Sequence, residues 1–276
     1  MPGAVGPRPD PGTLVLGADD APAGDLLLVH GNELSGPFYR LLGEALVARG
    51  LRVVLPTLPG FHGTPPLARP GWPALVASLD PALAALRPGA TLAGHSLGGA
   101  FAVLCAVGRP AKVARLVLLE PLVLPGRRFA RAAARRYLRD VVSHRAGPFQ
   151  NWTGSFLRVA DPARFPAAAL ALHLEARRCG DVGTVRALFE TLEQQYPLPL
   201  DRLTLPILLL EGRLSGLRMR LLMRALRGQL RRVAPRVEHV RLPGAAHWMA
   251  NEVDAALAEH IARFAAATPA GAAAPR

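Results

Sequence analysis

The feature that most constrains this chain is a recurrent alternation of short, continuously apolar runs with helix-patterned segments. "DLLLVH" (25–30), "LRVVLP" (51–56), "ATLAGH" (90–95), "VARLVLLE" (113–120), "LPILLLEG" (205–212) and "VEHVRLP" (237–243) are each of strand length. Most are apolar on both alternating faces, which marks strands covered on both sides rather than half exposed to water. Between them lie segments of helical spacing: 36–49 ending at Gly50, 73–86 with Pro73 in its first turn, 97–108, 216–232 and 252–267. Strands separated by helices predict an α/β fold with a mostly parallel, doubly wound sheet and right-handed crossovers.

The alternation fails once. Between the runs at 113–120 and 205–212 no strand is legible, and the pattern is helical with breaks at Pro125, Gly147-Pro148, Asp161-Pro162 and Gly180. The expected organisation is therefore a core of 13–123 and 205–267 with a helical lid inserted at 124–204. That lid would cover the carboxyl edge of the sheet, where open α/β sheets bind ligands. "MPGAVGPRPDPG" (1–12) reads as a disordered leader without the apolar core of a secretory signal, and 268–276 reads as a disordered tail.

Only at this point does composition add something. No apolar run reaches the ~18 residues a membrane helix needs, so no transmembrane segment is expected. Two cysteines make neither a disulfide framework nor a zinc site, and a cytoplasmic location is expected with no metal and no cofactor. Formal net charge is +13, and Lys112 is the only lysine. A GC-rich coding bias explains that balance as well as an anionic partner does. No nucleic-acid-binding module is recognisable and aromatic content is low, so nucleic acid is not expected as a partner.

The chemistry concentrates at "TLAGHSLGG" (91–99). Gly94-His95-Ser96-Leu97-Gly98 fits G-x-S-x-G, with a strand directly before it and a helix directly after it. A tight turn of that kind projects a serine hydroxyl from the sheet edge and aims the Leu97 N–H toward the same point. Two further stretches accompany it: "LLLVHGN" ends an earlier strand with His30-Gly31-Asn32, and "LPGAAHWMANE" places His247 in a loop after the last strand.

Together with "LPTLPGFHGTPP" (55–66), these stretches resemble the α/β-hydrolase family over nearly the whole chain outside lid and tails. The resemblance implies Ser96 as nucleophile, His247 as general base, and the backbone amides of Asn32 and Leu97 as the oxyanion hole. It also implies an acid, in most relatives an Asp three residues past a glycine after the strand corresponding to 205–212. Here Gly212 leads to Ser215, so that acid is missing. Glu120, at the end of "LVLLE", is the first candidate to replace it, because some relatives, haloalkane dehalogenases among them, place the acid on that strand end. Glu211 is the second and Asp254 the third; a fourth reading is a site that has lost its acid. The dehalogenase likeness stops at the nucleophile: those enzymes carry an Asp followed by a Trp, where this chain has Ser96 and Leu97.

A serine nucleophile implies an acyl-enzyme formed from a carboxylic ester, either lipid-like or small. The alternatives are a thioesterase or acyltransferase working on carrier-bound acyl groups, and a non-catalytic module that binds a ligand under the lid. Two arginine-rich helices, 125–145 and 216–232, offer an anionic surface or an acidic carrier protein a place to dock, if they are not merely solvated faces. In the second helix the apolar face is expected to include Leu217, Leu221, Leu222, Ala225 and Leu226, packed against the sheet.

Overall fold

The computed structural model describes residues 12–143 and 159–267, with side chains of 139–143 left out. The leader and tail expectations, the break at 147–148 and His144 lie outside the described residues, apart from Gly12. Seven strands form one sheet: β1 (Thr13–Leu16), β2 (Asp25–Val29), β3 (Arg52–Pro56), β4 (Ala90–His95), β5 (Val113–Leu119), β6 (Ile207–Gly212) and β7 (Val237–Leu242). Their order is β1-β3-β2-β4-β5-β6-β7; β1 runs antiparallel and every other pair is parallel. The chain first builds outward from β2 to β3, then returns to place β4 on the other side of β2. The order thus reverses between β2 and β4, and the carboxyl ends of those two strands carry Gly31-Asn32 and Ser96. A crevice opens outside the sheet at such a reversal.

Both faces are covered, as the continuous apolar runs require. Leu27, Val29, Leu92, Leu116, Leu118 and Leu209 point into one core with α4 (Leu97–Gly108) and α8 (Leu217–Val233). Their neighbours Leu26, Leu28, Ala93, Val117, Leu208 and Leu210 point into the other with α1 (Arg40–Val47) and α10 (Asp254–Ala266). The two-residue period of a strand divides each run between the two layers.

Two expectations are corrected and one strand is added. The helix expected over 73–86 is two short ones, α2 (Trp72–Ala77) and α3 (Asp80–Ala84), because Pro81 has no N–H to continue the ladder. The helix expected from 252 is α9 (Met249–Glu252) followed by α10, with Val253 at φ −146° between them. The edge strand β1 was not legible, being four half-buried residues too short to carry a period.

Between β5 and β6 the described elements are helical: α5 (Arg127–Ser143), α6 (Ala167–Cys179), α7 (Val182–Glu190) and two 3-10 turns. They rest on the loops at the carboxyl ends of strands. Asp181 N–H bonds the Gly60 carbonyl at 2.7 Å, Trp72 Nε1–H bonds the Leu188 carbonyl at 2.9 Å, and the Tyr196 hydroxyl donates to the Leu122 carbonyl. Among the described residues no helix is long and apolar enough to cross a membrane.

Candidate active site

β4 passes directly into α4 through Ser96, which holds φ 52° and ψ −120°. A non-glycine residue there is strained and persists only where its surroundings over-determine it. They do so here. Ser96 N–H bonds the Leu119 carbonyl at 3.1 Å, and the Ser96 carbonyl accepts from Leu122 N–H at 2.6 Å and Gly99 N–H at 3.0 Å. The glycines around it are steric necessities: a Cβ at Gly94 would overlap the Gly98 carbonyl, and one at Gly98 would overlap the carbonyls of Val29 and His30.

The loop after β2 lies against Ser96, since a Cβ at Gly31 would stand 3.2 Å from Ser96 Cβ. His30 Nδ1–H bonds the Gly31 carbonyl at 2.7 Å, and His30 Nε2 accepts Leu58 N–H at 2.9 Å. This buried imidazole therefore braces the loop, and burial lowers its pKa to about 4. Gly31 N–H is engaged by the Tyr39 hydroxyl at 3.1 Å. Asn32 N–H has no acceptor among the described residues. Leu97 opens α4, where first-turn amides lack intrahelical partners.

Glu120 and His247 meet beyond the elbow. Chain separation of 127 residues ends with His247 Nδ1 at 2.9 Å from Glu120 Oε2, both side chains buried. Glu120 leaves β5 at φ 35°, which turns its side chain over the ends of β6 and β7. Its other oxygen, Oε1, accepts from Gly212 N–H at 2.9 Å and from the Ser215 hydroxyl at 2.5 Å. The serine at the position where the acid was expected thus donates a hydrogen bond to a carboxylate arriving from the neighbouring strand. Burial raises the Glu120 pKa to about 7, against the lowering effect of those two donors. Burial also pushes His247 down, to about 3, which keeps its imidazole in the neutral form that can accept a proton.

The other acid candidates face elsewhere. Glu211 pairs with His239 Nε2 at 3.0 Å and with Arg241 at 3.4 Å, and Asp254 sits in the first turn of α10.

Two residues that hold His247 and its loop were not legible in that role beforehand. His95 Nε2–H donates to the His247 carbonyl at 2.8 Å, and its Nδ1 accepts from the Tyr39 hydroxyl at 2.7 Å. A buried chain thus runs from Gly31 N–H through Tyr39 and His95 to the backbone of His247. Burial lowers the His95 pKa to about 3, so the imidazole stays neutral with this donor–acceptor order intact. Glu252 is the second. It accepts from Ala246 N–H at 2.7 Å and from Ala160 N–H at 2.5 Å, which ties the His247 loop to the helical insertion; burial raises its pKa to about 7.

The helices of the insertion close over Asn32 with polar groups as well as apolar ones. Asn32 Nδ2 donates to the Tyr137 hydroxyl, His173 Nδ1 lies 3.2 Å from the Glu33 carbonyl, and Arg177 Nε lies 3.6 Å from Glu33. Tyr137 also stacks on Phe189 with centroids 3.8 Å apart.

Comparison with known proteins agrees with this architecture. A family model described as "Alpha/beta hydrolase family" matches residues 26–260. A 95-residue stretch, 34% of this chain, is 44% identical to pimeloyl-[acyl-carrier protein] methyl ester esterase of Aromatoleum aromaticum and spans only 36% of that relative. An esterase from Exiguobacterium antarcticum superposes with TM-score 0.76 at 13% identity, covering 92% of this chain and 95% of that one. MenH from S. aureus superposes with TM-score 0.74 at 16% identity, covering 92% and 98%. At these identities the two structures speak for the fold alone.

Proposed function

This chain belongs to the alpha/beta hydrolase family, and from that premise we propose that it is a serine hydrolase cleaving carboxylic esters through an acyl-enzyme on Ser96. The observation that carries the reading is the buried His247–Glu120 contact of 2.9 Å behind a strained Ser96 elbow. Ser96 Oγ attacks the ester carbonyl while His247 Nε2 takes the hydroxyl proton. Glu120 holds Nδ1–H, which fixes the tautomer and stabilises the imidazolium that forms. The carbonyl oxygen gathers charge against the Asn32 and Leu97 amides, donors already oriented before the reaction. His247 then returns its proton to the leaving alcohol. Water, deprotonated by the same imidazole, attacks the acyl carbonyl and releases the acid and Ser96.

The helical insertion 124–204 acts as the lid over this site in our reading. Its polar contacts around Asn32 argue for a substrate bearing a polar group beside the acyl carbonyl, rather than for a plain alkyl slot. A ligand-binding module without catalysis has less support, because the Glu120 carboxylate is bonded to His247 Nδ1, the contact that orients an imidazole as a general base. Carrier-bound acyl groups are the second reading, favoured by the 95-residue likeness and by the basic helices.

A fluorophosphonate probe tests the proposal: folded wild type is labelled on Ser96 and turns over a short aryl ester, while Ser96→Ala does neither. Absence of labelling on folded wild-type protein overturns the enzyme reading.

A further inference from the structure

The helix α8 carries two apolar stripes, and the fold uses only one. Met219, Leu222, Met223, Leu226 and Leu230 face the core. Leu217 and Leu221, expected from sequence in that same packed face, instead stand 62% and 56% exposed, with Leu214 just before them at 48%. Leu217 and Leu221, at i and i+4, make a ridge roughly 6 Å long on the outer surface, and Leu214 lies in the turn that precedes the helix. Ala225 and Gly228 continue it as a low saddle, and a Cβ at Gly228 would meet nothing within 4 Å.

Arginines flank this ridge. Arg220, Arg224 and Arg231 lie to one side, and Arg218 and Arg232 to the other, all exposed. The helix contains no acidic residue, and none of these five arginines has an acidic partner among the described residues. Arg227 differs, being turned to His239 Nδ1 at 3.1 Å. The basic face of α5 is more occupied: Arg131 makes a paired contact with Glu193 at 2.6 and 2.7 Å, and Arg127 Nε–H bonds the Tyr196 carbonyl.

We infer that the outer face of α8 is the docking surface for an acidic, helix-presenting protein that carries the acyl substrate. The occupant follows by charge. A second copy of this chain brings net charge +13 of the same sign. Of the segments outside the described residues, 144–158 and 268–276 contain no Asp or Glu and 1–11 contains a single Asp10, too little to answer five arginines. A narrow ridge flanked by cations matches the groove between two acidic helices better than it matches a broad lipid plane. The place also suits delivery, because α8 begins two residues after Ser215, whose hydroxyl holds the carboxylate of Glu120. The acyl-bearing nature of the partner rests on the hydrolase reading above; the acidic surface that it needs does not.

The test measures binding of an acyl-carrier protein bearing an octanoyl thioester to the Ser96→Ala protein, with phosphatidylglycerol and phosphatidylcholine vesicles as parallel arms. Carrier binding that weakens with salt is expected, reduced about tenfold or more by Arg218→Glu/Arg224→Glu and several-fold by Leu217→Ser/Leu221→Ser. Arg128→Glu/Arg135→Glu on α5 is expected to change it less than about twofold. In the wild-type background the α8 variants keep their aryl-ester turnover, which shows that they are folded. Carrier binding unaffected by the α8 variants, or α8-dependent adsorption to phosphatidylglycerol without carrier binding, overturns the inference. If the carrier binds through α8 but Ser96 is neither labelled nor active, the hydrolase reading fails alone. If aryl esters turn over and the carrier does not bind, the docking surface fails alone.

Discussion

The surroundings of His247 and the outer face of α8 treat charge in opposite ways. Around His247 three buried side chains are answered from within the chain: Glu120 by three donors, His95 by a hydroxyl and a carbonyl, Glu252 by two backbone amides. On α8 five arginines stand beside bare leucines without an acidic partner among the described residues. The difference follows from solvent. A buried polar group left without a partner costs about 1–3 kcal/mol or more, so the fold must supply every partner itself. An exposed arginine is satisfied by water and can wait for another molecule. Substitutions in the first region should therefore change chemistry or stability, while those in the second should change association only.

The largest expected effect comes from Glu120→Gln. Gly212 N–H and the Ser215 hydroxyl pin the Oε1 side, so the new amide would present its NH2 to His247 Nδ1 and force the wrong tautomer. Turnover of a short aryl ester should fall by about 10^3- to 10^4-fold with little change in KM. Should turnover stay unchanged, Glu120 is not the acid. A sharper version moves the charge: Glu120→Ala/Ser215→Asp should recover part of the activity that Glu120→Ala loses, because a carboxylate at 215 would start from the same side of His247. Equal activity of the single and double variants would show that position 215 cannot reach the imidazole.

Next in size is Tyr39→Phe. It leaves Gly31 N–H and His95 Nδ1 without the shared hydroxyl and should lower kcat by about tenfold, in proportion to one lost buried hydrogen bond. His30→Ala, by contrast, should weaken the loop after β2 and show chiefly in melting temperature. Equal kcat in Tyr39→Phe and wild type would reduce the Tyr39–His95 chain to packing.

A smaller effect concerns pH. Glu252 has a folded pKa of about 7, raised from 4.5 mainly by burial. The folded state then binds more protons than the unfolded state between those values, so its contribution to stability falls as pH rises through that window. Thermal unfolding should show wild type losing more between pH 5 and 8 than Glu252→Gln does. For the proposed general base, burial sets His247 below its ordinary value, so the acidic loss of activity should lie below pH 6.5.

The α8 face supplies the control: Arg218→Glu/Arg224→Glu should alter unfolding free energy by no more than about 0.5 kcal/mol, as for surface charges elsewhere. A drop well beyond that would mean that the face is not a free surface.

Much of the molecule could be read before folding. The apolar strand runs, the Ser96 elbow between β4 and α4, and the position of His247 after β7 depend on local sterics and on periods of 2 and 3.6, which a linear chain displays. Glu120 could be named as a candidate acid from its strand end. Its contact with His247, and the reduction of Ser215 to a donor, needed β5 and β6 to lie side by side. Tyr39 and Glu252 carried no signal, because a tyrosine before a helix and a glutamate near one are ordinary in sequence. Their meaning lies in partners 56 and 92 residues away.

The same boundary runs through α8. The sequence by itself determined that this segment is a helix with leucines at helical spacing and without acids. Which stripe of leucines met the sheet was decided only by the tertiary structure. Periodicity reports that an apolar face exists, while burial depends on where the sheet stands relative to the helix, and that is a property of the whole packed chain.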